Sequence, residues 1–199
     1  AGKNSGATIS ELVALAMAQA YCRESDEPWS SLKTGFFIPV DDILDLIPEV
    51  SATPIDVDDE VDASPIGNVR PDLIYVSVTK GSLCFSFIEV KHRMHLRTAR
   101  SPQTISHIRD QTEDLRERWS KWYFGEDVPP AFRSIRLAKL ARVLRFYADK
   151  AKRYHLLDDQ HSTILSEIER MVERGPAYKF SVIAGGDRGW IFCPRYEAE

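Results

Sequence analysis

Two strand-like runs joined by a turn constrain this chain most. Leu73 to Val78 and Leu83 to about Lys91 are dense in β-branched, aromatic and aliphatic residues, and Lys80-Gly81-Ser82 between them is turn chemistry. In an extended chain Leu73, Tyr75 and Ser77 share one face, and Ile74, Val76 and Val78 share the other. The pattern predicts an antiparallel hairpin within a sheet whose faces helices should cover.

The flanking segments supply the helices. Thr8 or Ser10 can cap a helix running to about Cys22, with Leu12, Leu15, Ala16 and Ala20 as its apolar stripe. Phe36 to Val40 reads as a short extended piece, after which Asp41 or Asp42 can cap a short helix. Residues 49–67 are rich in acids, Pro, Ser and Ala, as expected of a solvated, mobile loop. Ser101-Pro102 starts a helix with Ile105, Ile108, Leu115 and Trp119 on its apolar face, and 125–130 breaks it. From about Ala131 to Tyr154, seven residues fall on one arc of a 3.6-residue period: Leu137, Leu140, Ala141, Leu144, Tyr147, Ala148 and Ala151. A further helix spans about Ser162 to Arg174 and stops at Gly175-Pro176. Tyr178 to Ala184 and Trp190 to Cys193, around a glycine-rich turn, predict a second hairpin. With no internal repeat, the expectation is a single α/β domain over residues 1–199, a central mixed sheet flanked by helices.

A chain of 199 residues, 43% hydrophobic and 28% charged, is neither collagen-like, wholly disordered nor disulfide-dense. Cys22, Cys84 and Cys193 lie far apart without a CxxC pair, which argues against a disulfide framework or zinc ribbon and for buried thiols in a reducing cytoplasm. No apolar run reaches ~18 residues, so no membrane helix is expected. Ile9 to Ala20 carries Glu11 and Gln19 and lacks the basic start of a signal peptide. The opening Ala-Gly-Lys-Asn has no initiator Met, as in a trimmed chain or a piece of a longer one.

The chemistry concentrates in Pro71-Asp72 and Glu89-Val90-Lys91. Glu89 and Lys91 point to one face of their strand, following Phe85 and Phe87. A carboxylate and an ammonium beside an apolar face must be paired or wet. Two nearby carboxylates repel unless a cation lies between them, and a hard divalent ion needs only one or two of them. Such an ion acidifies water and offsets phosphate charge; Lys91 is placed to steady the attacking water or the developing charge.

This pattern resembles the signature of the PD-(D/E)XK, or restriction endonuclease-like, nuclease superfamily, with 17 residues separating its two acids. The resemblance covers about residues 68–115. It implies a core ordered α-β-β-β-α-β around a mixed sheet, with Mg²⁺ or Mn²⁺ as cofactor. It also implies that Asp72 and Glu89 ligate the metal, Val90 lends its carbonyl and Lys91 is the catalytic lysine. Glu11, on the first helix, is the candidate for a further metal-binding acid, and Gln111 for a catalytic residue on the helix after the motif. More weakly, Phe36 to Asp42 followed by Arg70 to Ser101 resembles nuclease-like modules attached to ATP-driven DNA translocases in bacterial defence systems. No ATPase motif lies in the chain, so a translocase or helicase partner would sit elsewhere.

Net charge is −4, which by itself argues against a nucleic-acid partner, but it is unevenly spread. Residues 1–90 hold 5 basic and 15 acidic side chains, residues 91–153 hold 16 and 7, and residues 154–199 hold 5 and 8. The basic stretch begins at Lys91, and His92, Arg93, Arg97 and Arg100 are the candidate DNA-binding residues. His92 and His95 form an HxxH that a strand would not place on one face, so they read as DNA-facing or solvated rather than as zinc ligands. The expected activity is Mg²⁺-dependent DNA hydrolysis by a nuclease module, possible as a homo-oligomer. The competing readings are a catalytically inactive module of the same fold that binds DNA or a protein partner, and a resolvase acting on branched DNA.

Overall fold

The structure, a computed structural model, describes residues 5–24, 34–46, 71–79, 81–92, 102–125, 127–157, 160–180 and 188–192. The expected acidic loop at 49–67 lies outside them, as do Arg93, His95, Arg97, Arg100 and Cys193.

The central hairpin forms as its residue pattern predicts. β2 (Leu73–Thr79) pairs antiparallel with β3 (Ser82–His92). Thr79 faces Ser82, and Gly81 adopts a φ of 70°, which a glycine takes at little cost. Phe36 to Val40 does more than extend: β1 (Gly35–Pro39) is a full strand of the sheet, antiparallel to β2. Asp41 and Asp42 follow in a 3₁₀ segment, Val40–Leu46, where the Asp42 carboxylate accepts a hydrogen bond from the Tyr147 hydroxyl.

The expected second hairpin does not form among the described residues. β4 (Arg188–Phe192) lies against β3 in parallel, with Glu89 opposite Gly189 and Val90 opposite Trp190. The chain reaches β4 only after three helices: α2 (Pro102–Phe124), α3 (Pro130–Arg153) and α4 (His161–Arg174). A long helical crossover returns a strand in parallel, which a tight turn cannot do. Tyr178, expected in a strand, instead accepts a hydrogen bond on its hydroxyl from the Leu83 amide at 2.9 Å. The sheet order is β1-β2-β3-β4, so β3 is an interior strand of a mixed sheet.

Helices cover both faces. Ile74, Val76, Leu83, Phe85 and Phe87 pack with Leu115 and Trp119 of α2, Leu140 and Leu144 of α3, and Ile164 and Ile168 of α4. All seven arc residues of α3 are buried, because the 3.6-residue period places them on one face. The opposite sheet face, Leu73, Tyr75 and Ile88 with Phe37, receives Ala18 and Cys22 of α1 (Ser5–Glu24). The stripe of α1 is thus Ala14, Ala18 and Cys22, whereas Ala16 and Ala20 face outwards. Likewise Ile105, expected in the apolar face of α2, is 55% exposed. It lies only one turn inside the helix, ahead of the segment that crosses the sheet. Among the described residues no helix is long and apolar enough to cross a membrane.

Gly189 sets how closely α2 approaches the sheet. A Cβ built there would overlap the Cγ2 of buried Ile108. Gly189→Ala should therefore cost about 1–3 kcal/mol, the usual range for overpacking a core. In an Ile108→Ala background the same change should cost much less by denaturant unfolding; an equal cost in both backgrounds would place the effect elsewhere.

Candidate active site

The site is built at the end of the central hairpin. Extending the β2–β3 register by one rung past Leu73↔Ile88 sets Asp72 directly opposite Glu89. Asp72 is held from both sides: its carbonyl accepts the Val40 amide at 2.9 Å, and its Oδ2 accepts the Val90 amide at 2.8 Å.

One more rung sets Pro71 opposite Val90. A β-residue points its N–H and C=O to the same side, so Val90 turns both towards position 71. Proline has no N–H to offer the Val90 carbonyl, and the Asp72 side chain replaces the acceptor for the Val90 amide. The Pro-Asp pair thus ends the ladder, offers the Val90 carbonyl no hydrogen from position 71 and locks one acid in place.

Glu89 is 1% exposed although ionisable, and it sits on an interior strand. That excludes a solvated edge-strand pair as the account of Glu89 and Lys91. The Lys91 ammonium forms an ion pair with Glu89 Oε1, while Glu89 Oε2 is buried with no hydrogen-bond partner among the described residues. Burial, and then the nearby Asp72 charge, push the Glu89 carboxyl up to about 7 against the pull of Lys91.

α2 crosses the same face. Its Ile108 meets Gly189, the register partner of Glu89, and its Trp119 meets Phe85 and Phe87 at ring-centroid distances of 5.3 and 5.9 Å. Gln111 lies between these contacts and is buried, which puts it on the sheet-facing side of α2 at the acidic end of the cluster. Glu11 and His92 belong to α1 and β3, but their side chains lie outside the described set. α1 packs on the sheet face opposite to Glu89. Of the expected site residues, the structure brings together Asp72, Glu89, Val90 and Lys91, with Gln111 alongside.

The donor set suits a hard divalent ion. A buried carboxylate oxygen with no hydrogen-bond partner among the described residues, a second carboxylate opposite and a backbone carbonyl to which proline cannot donate are all oxygen donors. Among the described residues no group of three or more His, Cys, Asp or Glu is assembled. Zinc usually takes three or four nitrogen or sulfur ligands, whereas Mg²⁺ keeps waters and substrate oxygens in its shell. The chain matches no family model, no curated protein and no solved structure.

The basic helix α3 is not a bare cationic face. Arg136 stacks on Trp122, 3.3 Å from the ring centroid, and donates to the Trp122 carbonyl. Arg145 lies 4.0 Å from Glu169, and Lys150 lies over the Tyr147 ring.

Proposed function

We propose that this chain is a metal-dependent endonuclease of the PD-(D/E)XK type that hydrolyses DNA phosphodiester bonds, as a nuclease module in bacterial defence or DNA processing. The observation that carries the proposal is the juxtaposition of Asp72, Glu89 and Lys91, two acids on facing rungs and a lysine on the carboxylate of one of them. The element order supports it: α1-β1-β2-β3-α2 and, after two further helices, β4. The basic stretch that starts at Lys91 suits a phosphate backbone. Such an enzyme would work in the cytoplasm, alone or beside a DNA translocase.

Asp72 and Glu89, with the Val90 carbonyl, would hold Mg²⁺ or Mn²⁺, which when bound acidifies a water and offsets charge on the scissile phosphate. Lys91 orients the attacking water and donates to the phosphate oxygen on which charge builds. Gln111 adds a neutral hydrogen-bonding group beside the acids. The Asp72–Val90 bond and the tightly packed Phe85–Phe87–Trp119 face keep this geometry rigid.

The test is incubation of the chain with supercoiled, linear and branched DNA in Mg²⁺, Mn²⁺ or EDTA. Cutting that needs the metal and is lost in Asp72→Ala and Glu89→Ala supports the proposal; cutting that survives in either variant sinks it. A strong preference for branched DNA would move the assignment to a resolvase. One observation favours the second reading, a non-cutting DNA- or protein-binding module: the Lys91 ammonium already lies on the Glu89 carboxylate, where a metal would supply positive charge. Metal-independent DNA binding with no cleavage would decide for it.

A further inference from the structure

A cleft of about 460 Å³ opens on the same sheet face, between β3, α2 and the segment after α4. Its walls include the aromatic rings of Phe87, Trp119, Phe124 and Phe180. Arg116, Arg133 and Lys179 line it as well, and no acidic residue does among the described residues. Neither Arg133 nor Lys179 is engaged in an ion pair within that set. Trp119, 3% exposed, has its indole Nε1 buried without a hydrogen-bond partner there. That nitrogen is closed off from solvent, so it is the ring of Trp119 and not its N–H that lines the cleft.

We propose that this cleft binds one nucleotide unit of the DNA strand being cut, its base among the aromatic rings and its phosphate on the cations. This rests on the nuclease reading of the neighbouring site. The size falls within the range of small-molecule pockets. Aromatic walls accept any flat π-system, and base stacking on aromatic rings is the general device for holding unpaired nucleotides. An aliphatic ligand would leave the cations unused, whereas a nucleotide carries both a flat base for the rings and a phosphate for the charge. Position agrees. Phe87 precedes Glu89 by two residues on one face, about 7 Å along the strand. A base adjacent to the scissile phosphate therefore reaches the cleft without the strand leaving the site. The nucleotide would be held unpaired, which favours single-stranded, frayed or flipped positions.

Calorimetric titration of the full chain in EDTA, with deoxyribonucleoside monophosphates and with deoxyribose 5-phosphate, tests the cleft apart from cleavage. The nucleotides should bind at least about tenfold more tightly than the sugar phosphate. Phe180→Leu and Lys179→Gln should each weaken nucleotide binding about tenfold, and 2-aminopurine deoxyribonucleotide fluorescence should be quenched on binding. Lys179 is exposed, so its variant folds even where Phe180→Leu does not. Equal affinity for nucleotide and sugar phosphate, unquenched 2-aminopurine, unchanged affinity in Lys179→Gln, or no binding at millimolar nucleotide would each overturn the proposal. Nucleotide binding in a chain that cuts no DNA with any metal keeps the cleft and removes the nuclease. Metal-dependent cutting without nucleotide binding does the reverse.

Discussion

On the proposed mechanism Lys91→Ala should lower the single-turnover rate of DNA cleavage by about 10²–10³-fold while DNA affinity changes little, the expected loss for one preorganised donor in a transition state. The ammonium sits on Glu89, its side chain 21% exposed, so it is placed at the acids and is not a mobile surface charge. A surface lysine acting only on the DNA backbone would show the opposite pattern, weaker binding with a steeper loss at high salt and an intact rate at saturation. Lys91→Arg restores charge but not shape, because a planar fork replaces a point charge, and should recover only part of the rate. A Lys91→Ala chain that cuts as fast as the parent at saturating Mg²⁺ would remove Lys91 from the chemistry.

Metal-free stability should fall as pH rises from about 4.5 to about 7. The Glu89 carboxyl is raised from its ordinary 4.5 to about 7 in the folded chain. Between those values the folded state keeps a proton that the unfolded state releases. Each added pH unit therefore favours unfolding by about 1.4 kcal/mol, up to ~3 kcal/mol over the window. Below pH 4.5 both states are protonated at this group, and above 7 both are ionised, so the slope vanishes at either end. Glu89→Gln should flatten the profile in this window. Asp72→Asn should shrink it, since the Asp72 charge is the second cause of the shift after burial. Added Mg²⁺ should restore stability at pH 8 in the parent and not in Glu89→Gln, by preferential binding to the folded state. Denaturant midpoints at several pH values give the answer; a flat parent profile would show that Glu89 is ionised at ordinary pH even without metal.

Much of this was written locally. The β2–β3 hairpin follows from a period of two and a Gly81 turn, and the buried arc of α3 follows from a period of 3.6. Glu89 and Lys91 share a face because strands alternate, and their ion pair bears this out. Local pattern failed where the decision belonged to a distant partner. Ile105 is apolar yet exposed, because burial depends on where α2 meets the sheet and not on helical phase alone. Residues 188–192 are strand-like, but their pairing with β3 in parallel was set by the three helices in between.

The same division runs through the site. Residue type and spacing along one chain point to Asp72, Glu89 and Lys91 as the candidates, because the proposed chemistry needs acids and a lysine on adjoining strands. Two features had no signature in spacing: the interior place of β3 and the cleft joining Phe87 to Trp119 and Phe180. Each depends on register or on contacts between residues far apart in the chain. Such contacts carry no period in the sequence and exist only once the sheet is assembled and α2 lies across it.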